Sequence, residues 1–159
     1  MKQATLTRRN SLKLFALSGT TILTMPNVLW SAKKVAEPLR FGIITDSHYA
    51  DRDPAGTRFY RDALPKMNEA IKALNEADLD FLIHLGDFKD QGAEANPQET
   101  LKYLQEVETV FQRFDGDGYH ALGNHDVDSI RKAEFLRNIK NAGQEQARSY
   151  YSFETSAFI

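Results

Sequence analysis

An α/β fold, with parallel strands joined by crossover helices, is what this sequence predicts, and three observations predict it. Short apolar runs alternate with longer stretches of helical periodicity, in the order β-α-β-α-β-α-β between Leu39 and Phe153. Three of those runs close in Asp46-Ser47-His48, Gly86-Asp87 and Gly123-Asn124-His125-Asp126. Such residues suit the crevice at the carboxyl edge of an open sheet, where α/β folds bind ligands. A length of 159 residues is enough for one domain around one core.

The elements follow in order. Leu39 to Thr45 predicts a buried strand with Ile43-Ile44 at its centre and a polar end. Residues 49–61 read as a polar loop containing Asp51, Asp53-Pro54 and Gly56. A helix is predicted from Asp62 to Ala77, with Asp62 as its cap and Pro65 tolerated in the first turn. Leu64, Met67, Ile71 and Leu74 recur at helical spacing as its core stripe. Phe81 to Leu85 is the second strand, and 86–92 the loop at its end. Asn96 as cap, Pro97 at the first helical position and Glu99 in a capping box predict the next helix start. Its buried face is Leu101, Leu104, Val107, Phe111 and Phe114. Asp115 to Gly118 reads as the turn after that helix, because a calcium loop would need twelve-residue spacing and a closing glutamate. A third strand from Tyr119 to Leu122, a third helix from Ser129 to Asn141 ending at Gly143, and a strand from Ser149 to Phe153 complete the pattern.

Composition excludes several classes. Residues 1–36 hold six basic residues and no acid, leaving 14 basic against 22 acidic in the remainder, a balance of −8. Nucleic-acid binding rests on neutralising phosphates with Lys and Arg, so so acidic a body argues against it and favours a protein that concentrates cations. Without cysteine, thiolate metal sites and disulfides are excluded.

The chemistry sits at the strand ends. Asp46 and His48, two apart just past a strand, can turn toward one cation. Gly86 frees Asp87 to protrude from a tight turn and serve two cations, while Asn124 offers an uncharged amide oxygen. Oxygen and imidazole donors without sulfur favour Mn, Fe, Zn or Mg. Two such ions would polarise a phosphoester, lower the pKa of a bound water toward about 7 and hold attacking and leaving oxygens in line. His125 is placed to stabilise charge or protonate the leaving oxygen, with Asp126 orienting its imidazole. Asp90 reads either as a supporting carboxylate or as exposed loop, and His84 and His120 as ordinary hydrogen-bonded histidines. Arg58 and Arg61 read as surface charges that would otherwise grip a phosphate.

Asp46-x-His48, Gly86-Asp87 and Gly123-Asn124-His125-Asp126, in this order after three strands, resemble the calcineurin-like metallophosphoesterases over residues 39–155. The resemblance implies a four-layer α/β/β/α sandwich, with Asp46 and His48 on a first metal, Asp87 bridging, Asn124 on a second and His125 as the catalytic histidine. Tyr49-Ala50-Asp51 and Gly56-Thr57-Arg58-Phe59-Tyr60-Arg61 are similar to the corresponding loop of manganese-dependent ADP-ribose/CDP-alcohol diphosphatases. That likeness implies a dinuclear centre of Mn, Fe or Zn, with Mn favoured, acting on a phosphodiester or nucleotide diphosphate derivative. A phosphomonoesterase, a cyclic-nucleotide phosphodiesterase or an inactive metal-binding fragment would use the same residues.

The chain departs from the family, which completes its site with a later histidine and a Gly-His-x-His segment. No histidine follows Asp126. The expectation is therefore that residues 37–159 are the N-terminal part of a longer domain, inactive alone. Thr7-Arg8-Arg9-Asn10-Ser11-Leu12-Lys13 resembles a twin-arginine export signal, with Ser11 where phenylalanine is usual. The uncharged stretch from Leu14 to Ala32 is too polar for a comfortable membrane span. Residues 1–36 are thus expected to engage the twin-arginine machinery, giving a periplasmic or secreted protein without a stable membrane anchor.

Overall fold

Three four-residue strands carry the architecture of the computed structural model, which describes residues 38–142 and 148–154. β1 (Phe41–Ile44), β2 (Phe81–His84) and β3 (Asp117–His120) lie side by side in that order, all parallel. Phe41 pairs with Phe81 and Phe81 with Asp117; at the other end Ile44, His84 and His120 stand abreast. The expected export signal and the helix end at Gly143 lie outside the described residues.

Because strand side chains alternate, this register gives the sheet two distinct faces. Leu82, His84 and His120 are buried toward the helices. The other face carries Phe41, Ile43, Phe81 and Tyr119, of which Phe41 and Ile43 are about half exposed (48% and 54%). Phe153 stacks on Tyr119 with centroids 4.2 Å apart and meets Phe81 edge-on. Tyr151 donates its hydroxyl to the His120 carbonyl at 2.7 Å. Residues 149–153, all described, thus cover β3 with aromatic rings and form no strand, contrary to expectation.

α1 (Ala63–Asn75) follows a 3-10 turn at Tyr60–Asp62 and buries Met67 and Ile71, with Leu64 and Leu74 against the same core. The described structure gives Asp62 no capping bond. Its backbone is already helical (φ −69°, ψ −15°), so its carboxylate cannot fold back over the first turn. α2 (Pro97–Phe111) starts with the expected Asn96 cap and Pro97: Asn96 Oδ1 accepts the N–H of Gln98 at 3.1 Å and of Glu99 at 3.4 Å. The expected return bond from the Glu99 side chain is not made among the described residues. Leu104, Val107 and Phe111 are fully buried beneath the sheet. α1 packs on α2 and α2 on α3 (Lys132–Asn138).

Two expected boundaries shift. β3 begins at Asp117, within the stretch read as a turn, because Gly118 lets the helix layer come close; a Cβ there would stand 3.0 Å from the Phe111 ring. α3 is shorter than Ser129–Asn141 at both ends. Ser129 hydrogen-bonds Thr100 and Asp128, and Arg131 and Ile139 are extended.

Urea unfolding separates these roles. Asn96→Ala should destabilise by about 1 kcal/mol and Leu104→Ala by about 2–5 kcal/mol. Asp62→Ala should change stability by less than about 0.5 kcal/mol; a loss equal to that of Asn96→Ala would restore the capping role denied to Asp62.

Candidate metal centre

Beyond β1 and β2 the chain keeps its pairing but changes hand. Asp46 (φ 56°), His48 (φ 47°) and Asp87 (φ 52°) all lie in the left-handed region, as does Gly86 (φ 100°). A non-glycine residue held there costs of order 1–3 kcal/mol and persists only where its surroundings over-determine it. Here they do. Asp46 N–H donates to Gly86 O, His48 N–H to Asp87 O at 2.8 Å and Asp90 N–H to Tyr49 O at 2.9 Å, lacing the two loops together. The Gly123 turn then closes on Gly86 and Asp87. A Cβ on Gly86 would overlap the Gly123 backbone, and one on Gly123 would overlap Asp87.

Asp126 lies beneath this junction with no exposed surface. Its Oδ2 accepts the N–H of Asp87 (2.9 Å) and Gly123 (2.8 Å), and its Oδ1 those of Phe88 (2.8 Å) and Lys89 (3.3 Å). Burial pushes its pKa above the usual carboxylate range, opposed by the N–H donors of Gly123, Lys89 and Phe88 and by the Lys89 charge. The expected contact between Asp126 and the His125 imidazole is not made. The 3-10 turn at His125–Val127 sends Asp126 inward and leaves His125 in the crevice.

The ligand atoms converge above. His48 Nε2 stands 3.6 Å from Asp46 Oδ1 and 3.6 Å from Asp87 Oδ2. Asp87 Oδ1 accepts the His125 N–H at 2.9 Å, which fixes the carboxylate and leaves Oδ2 facing His48. Separations of 3.6 Å are long for hydrogen bonds. They approach the roughly 3.0–3.5 Å between two atoms that each sit about 2.1 Å from one cation. His48, Asp87 and His125 can together bring one donor atom each within 4.8 Å of one another. One carboxylate and two imidazole nitrogens are thus close enough together to share a divalent cation, with Asp46 beside His48 at the rim of the cluster. Asn124 is exposed at the start of the same 3-10 turn.

His125 is held by residues outside the expected site. Its ring meets His48 edge-on at 4.9 Å. Its Nδ1 faces Asp90 Oδ1 at 3.4 Å and Asp128 Oδ2 at 3.8 Å, and its Nε2 faces Arg58 Nη1 at 3.4 Å. Asp90, buried, also stands 3.4 Å from His48 Nδ1 and from Arg58 Nη1. It is the carboxylate shared by both histidines, a role that its place in the loop left undecided. Arg58 is the one of the two candidate arginines that reaches the site. Arg61 instead clamps Asp51 and Asp53.

Behind the sheet edge, burial holds the fully buried His84 well below the ordinary histidine range, at about 3, with the neighbouring His120 acting in the same direction.

The chain belongs to the calcineurin-like phosphoesterase family, whose model matches residues 39–158. Among curated relatives, it is 30% identical to a manganese-dependent ADP-ribose/CDP-alcohol diphosphatase of Arabidopsis thaliana over 71% of this chain and 37% of the relative. A protein of the same name from Oryza sativa subsp. japonica is 32% identical over 74% of this chain and 38% of the relative. The chain thus spans under two-fifths of the length of these relatives. A solved dimetal phosphatase from Danio rerio superposes with a TM-score of 0.55 at 22% identity, covering 62% of this chain and 33% of that one. The fold is therefore the calcineurin-like metallophosphatase fold.

A histidine held neutral in the folded state makes stability depend on pH. His84 has a folded pKa near 3 against about 6.5 when unfolded, so its contribution is complete above about 6.5 and is lost as pH falls toward 3. Its share of the slope is up to about 1.4 kcal/mol per pH unit. Urea midpoints measured from pH 4 to 8 should therefore fall less steeply with acid in His84→Gln; an unchanged slope would show that His84 is not the group responsible.

Proposed function

We propose that this chain belongs to a metal-dependent phosphoester hydrolase that uses two divalent ions, manganese favoured, to activate water. The observation that carries the proposal is the convergence of Asp46, His48 and Asp87, each on left-handed backbone, at adjacent strand ends. Strain of that kind is kept where a site needs it. In this reading Asp46 and His48 hold the first ion, Asp87 bridges and Asn124 serves the second. When bound, the ions supply Lewis-acid polarisation of phosphoryl oxygens and an acidified water.

The chain's own residues supply the rest. The His125 N–H fixes Asp87, so the shared carboxylate cannot rotate away. Asp90 faces Nδ1 of His125, which leaves Nε2 to exchange a proton with the departing oxygen. Arg58, beside Nε2, can meet charge on the phosphoryl group. A cleft of about 350 Å³ runs from Asp46 and His48 past Thr57, Arg58 and Lys66. Two cations beyond the metal ligands favour a substrate with a second anionic group. Together with the names of the relatives, this supports a nucleotide diphosphate derivative over a simple monoester.

Metal analysis and assay of the 159-residue chain test this. Asp87→Asn should lower bound Mn at least about tenfold. His125→Ala should leave it within about threefold while lowering kcat by about 10²–10⁴. ADP-ribose should be a better substrate than p-nitrophenyl phosphate. Equal metal depletion in the two variants would refute the division of roles.

We further propose that residues 1–36 direct twin-arginine export, on the strength of Arg8-Arg9 ahead of an uncharged, weakly apolar stretch. Among the described residues, no helix is long and apolar enough to cross a membrane. Replacing Arg8-Arg9 by Lys-Lys should hold the protein in the cytoplasm; undiminished periplasmic protein on fractionation would refute the assignment.

A further inference from the structure

His84 closes β2 on the helix face, three residues before Asp87 and fully buried. Its ring packs against Phe88 (centroids 4.6 Å apart) and Phe111 (6.3 Å). An apolar side chain would fill that space without the cost of burying two ring nitrogens, so what the nitrogens do is the informative point. Gly86 N–H donates to Nδ1 at 3.2 Å. A backbone N–H can only donate, so Nδ1 carries no proton and Nε2 must carry it. Nε2 lies 2.8 Å from Ser47 Oγ, which therefore accepts.

These two partners occupy significant places. Ser47 stands between Asp46 and His48, and Gly86 directly precedes Asp87. Of these five residues all but Ser47 have positive φ. One rigid ring thus bonds both ligand-bearing turns at the residue next to each ligand, and it does so on the side away from the crevice. The main chain links the same two turns through Asp46 N–H to Gly86 O at 3.2 Å and His48 N–H to Asp87 O at 2.8 Å, and the ring adds a side-chain brace behind them.

We infer that His84, held as the Nε2–H tautomer between Gly86 and Ser47, is a positioning residue that fixes the Asp46–His48 turn against Asp87 and thereby sets metal affinity without touching a metal. The inference rests on the metal reading proposed above. It differs from a packing role in one respect: it depends on the donor and the acceptor, not on the ring. Glutamine offers one of each and leucine neither. Groups that orient metal ligands from behind typically change affinity 10–100-fold when removed.

The test is Mn²⁺ binding by calorimetry to the full 159-residue chain. His84→Leu should weaken binding about tenfold or more. Ser47→Ala, which removes one bond, should weaken it about threefold, and His84→Gln should stay within about threefold of the unsubstituted chain. Leu104→Ala, a core cavity away from the site, should leave affinity unchanged although it unfolds earlier. Metal-free protein gives a second readout, because ¹⁵N spectra of the His84 ring should show a protonated Nε2 and an unprotonated Nδ1. Unweakened binding in His84→Leu, or His84→Gln as weak as His84→Leu, would overturn the inference, as would an Nδ1–H tautomer. If His84→Leu does not fold, unweakened binding in Ser47→Ala overturns it alone. Failure of the unsubstituted chain to bind Mn²⁺ while showing the expected tautomer would instead overturn the metal reading, and with it the claimed effect on affinity.

Discussion

The buried Asp126 carboxylate, accepting four backbone N–H groups, is the interaction on which the crevice depends. The donors belong to Asp87, Phe88, Lys89 and Gly123, so one side chain stitches the end of β2 to the turn after β3. Hydrogen bonds to a charged group contribute about 1.5–3 kcal/mol each, which offsets the several kcal/mol of removing a carboxylate from water. Four N–H donors leave no room for a carboxyl proton, so the geometry itself calls for the ionised form even though burial opposes it. Lys89, equally buried, brings a compensating charge nearby. Its ammonium is in turn tied to Asp128 and to the His125 carbonyl.

The left-handed residues follow from that anchor. Gly123 can approach Asp87 only because neither it nor Gly86 has a side chain, and the approach is what lets Asp126 reach across. With the turn fixed, the His125 N–H meets Asp87 Oδ1, and the remaining oxygen has one direction left to face. Strain at Asp46, His48 and Asp87 is therefore held by bonds made behind the site and relieves nothing in front of it. Such pre-organisation suits chemistry in which ligand atoms must be placed before a substrate arrives.

The sheet below serves the site unevenly. Its helix face is closed by Leu82, Leu104, Val107 and Phe111, all without exposed surface. Its other face leaves Phe41, Ile43 and Leu85 open among the described residues. Parallel sheets are ordinarily covered on both sides. On that face Phe153 and Tyr151 cover β3.

By itself the sequence determined the strand–helix order, the cap at Asn96 and the strand ends that carry Asp46, His48, Asp87 and Asn124. Those features rest on local rules: hydrophobic period, turn chemistry, and a glycine where the chain must bend. It also made the family legible, because three short motifs in order are more specific than any one. Tertiary structure alone decided where Asp126 points, that Asp90 serves two histidines, that Arg58 and not Arg61 reaches the site, and that His84 bridges two turns. Each case involves a partner distant along the chain, such as 38 residues between Asp126 and Phe88, 67 between Arg58 and His125 and 37 between His84 and Ser47. It likewise started β3 at Asp117, shortened α3 and kept Ser149–Phe153 out of the sheet. A turn residue has no periodicity to announce its direction, and a strand's limits are set by what packs against it, so neither could be read before the chain was folded.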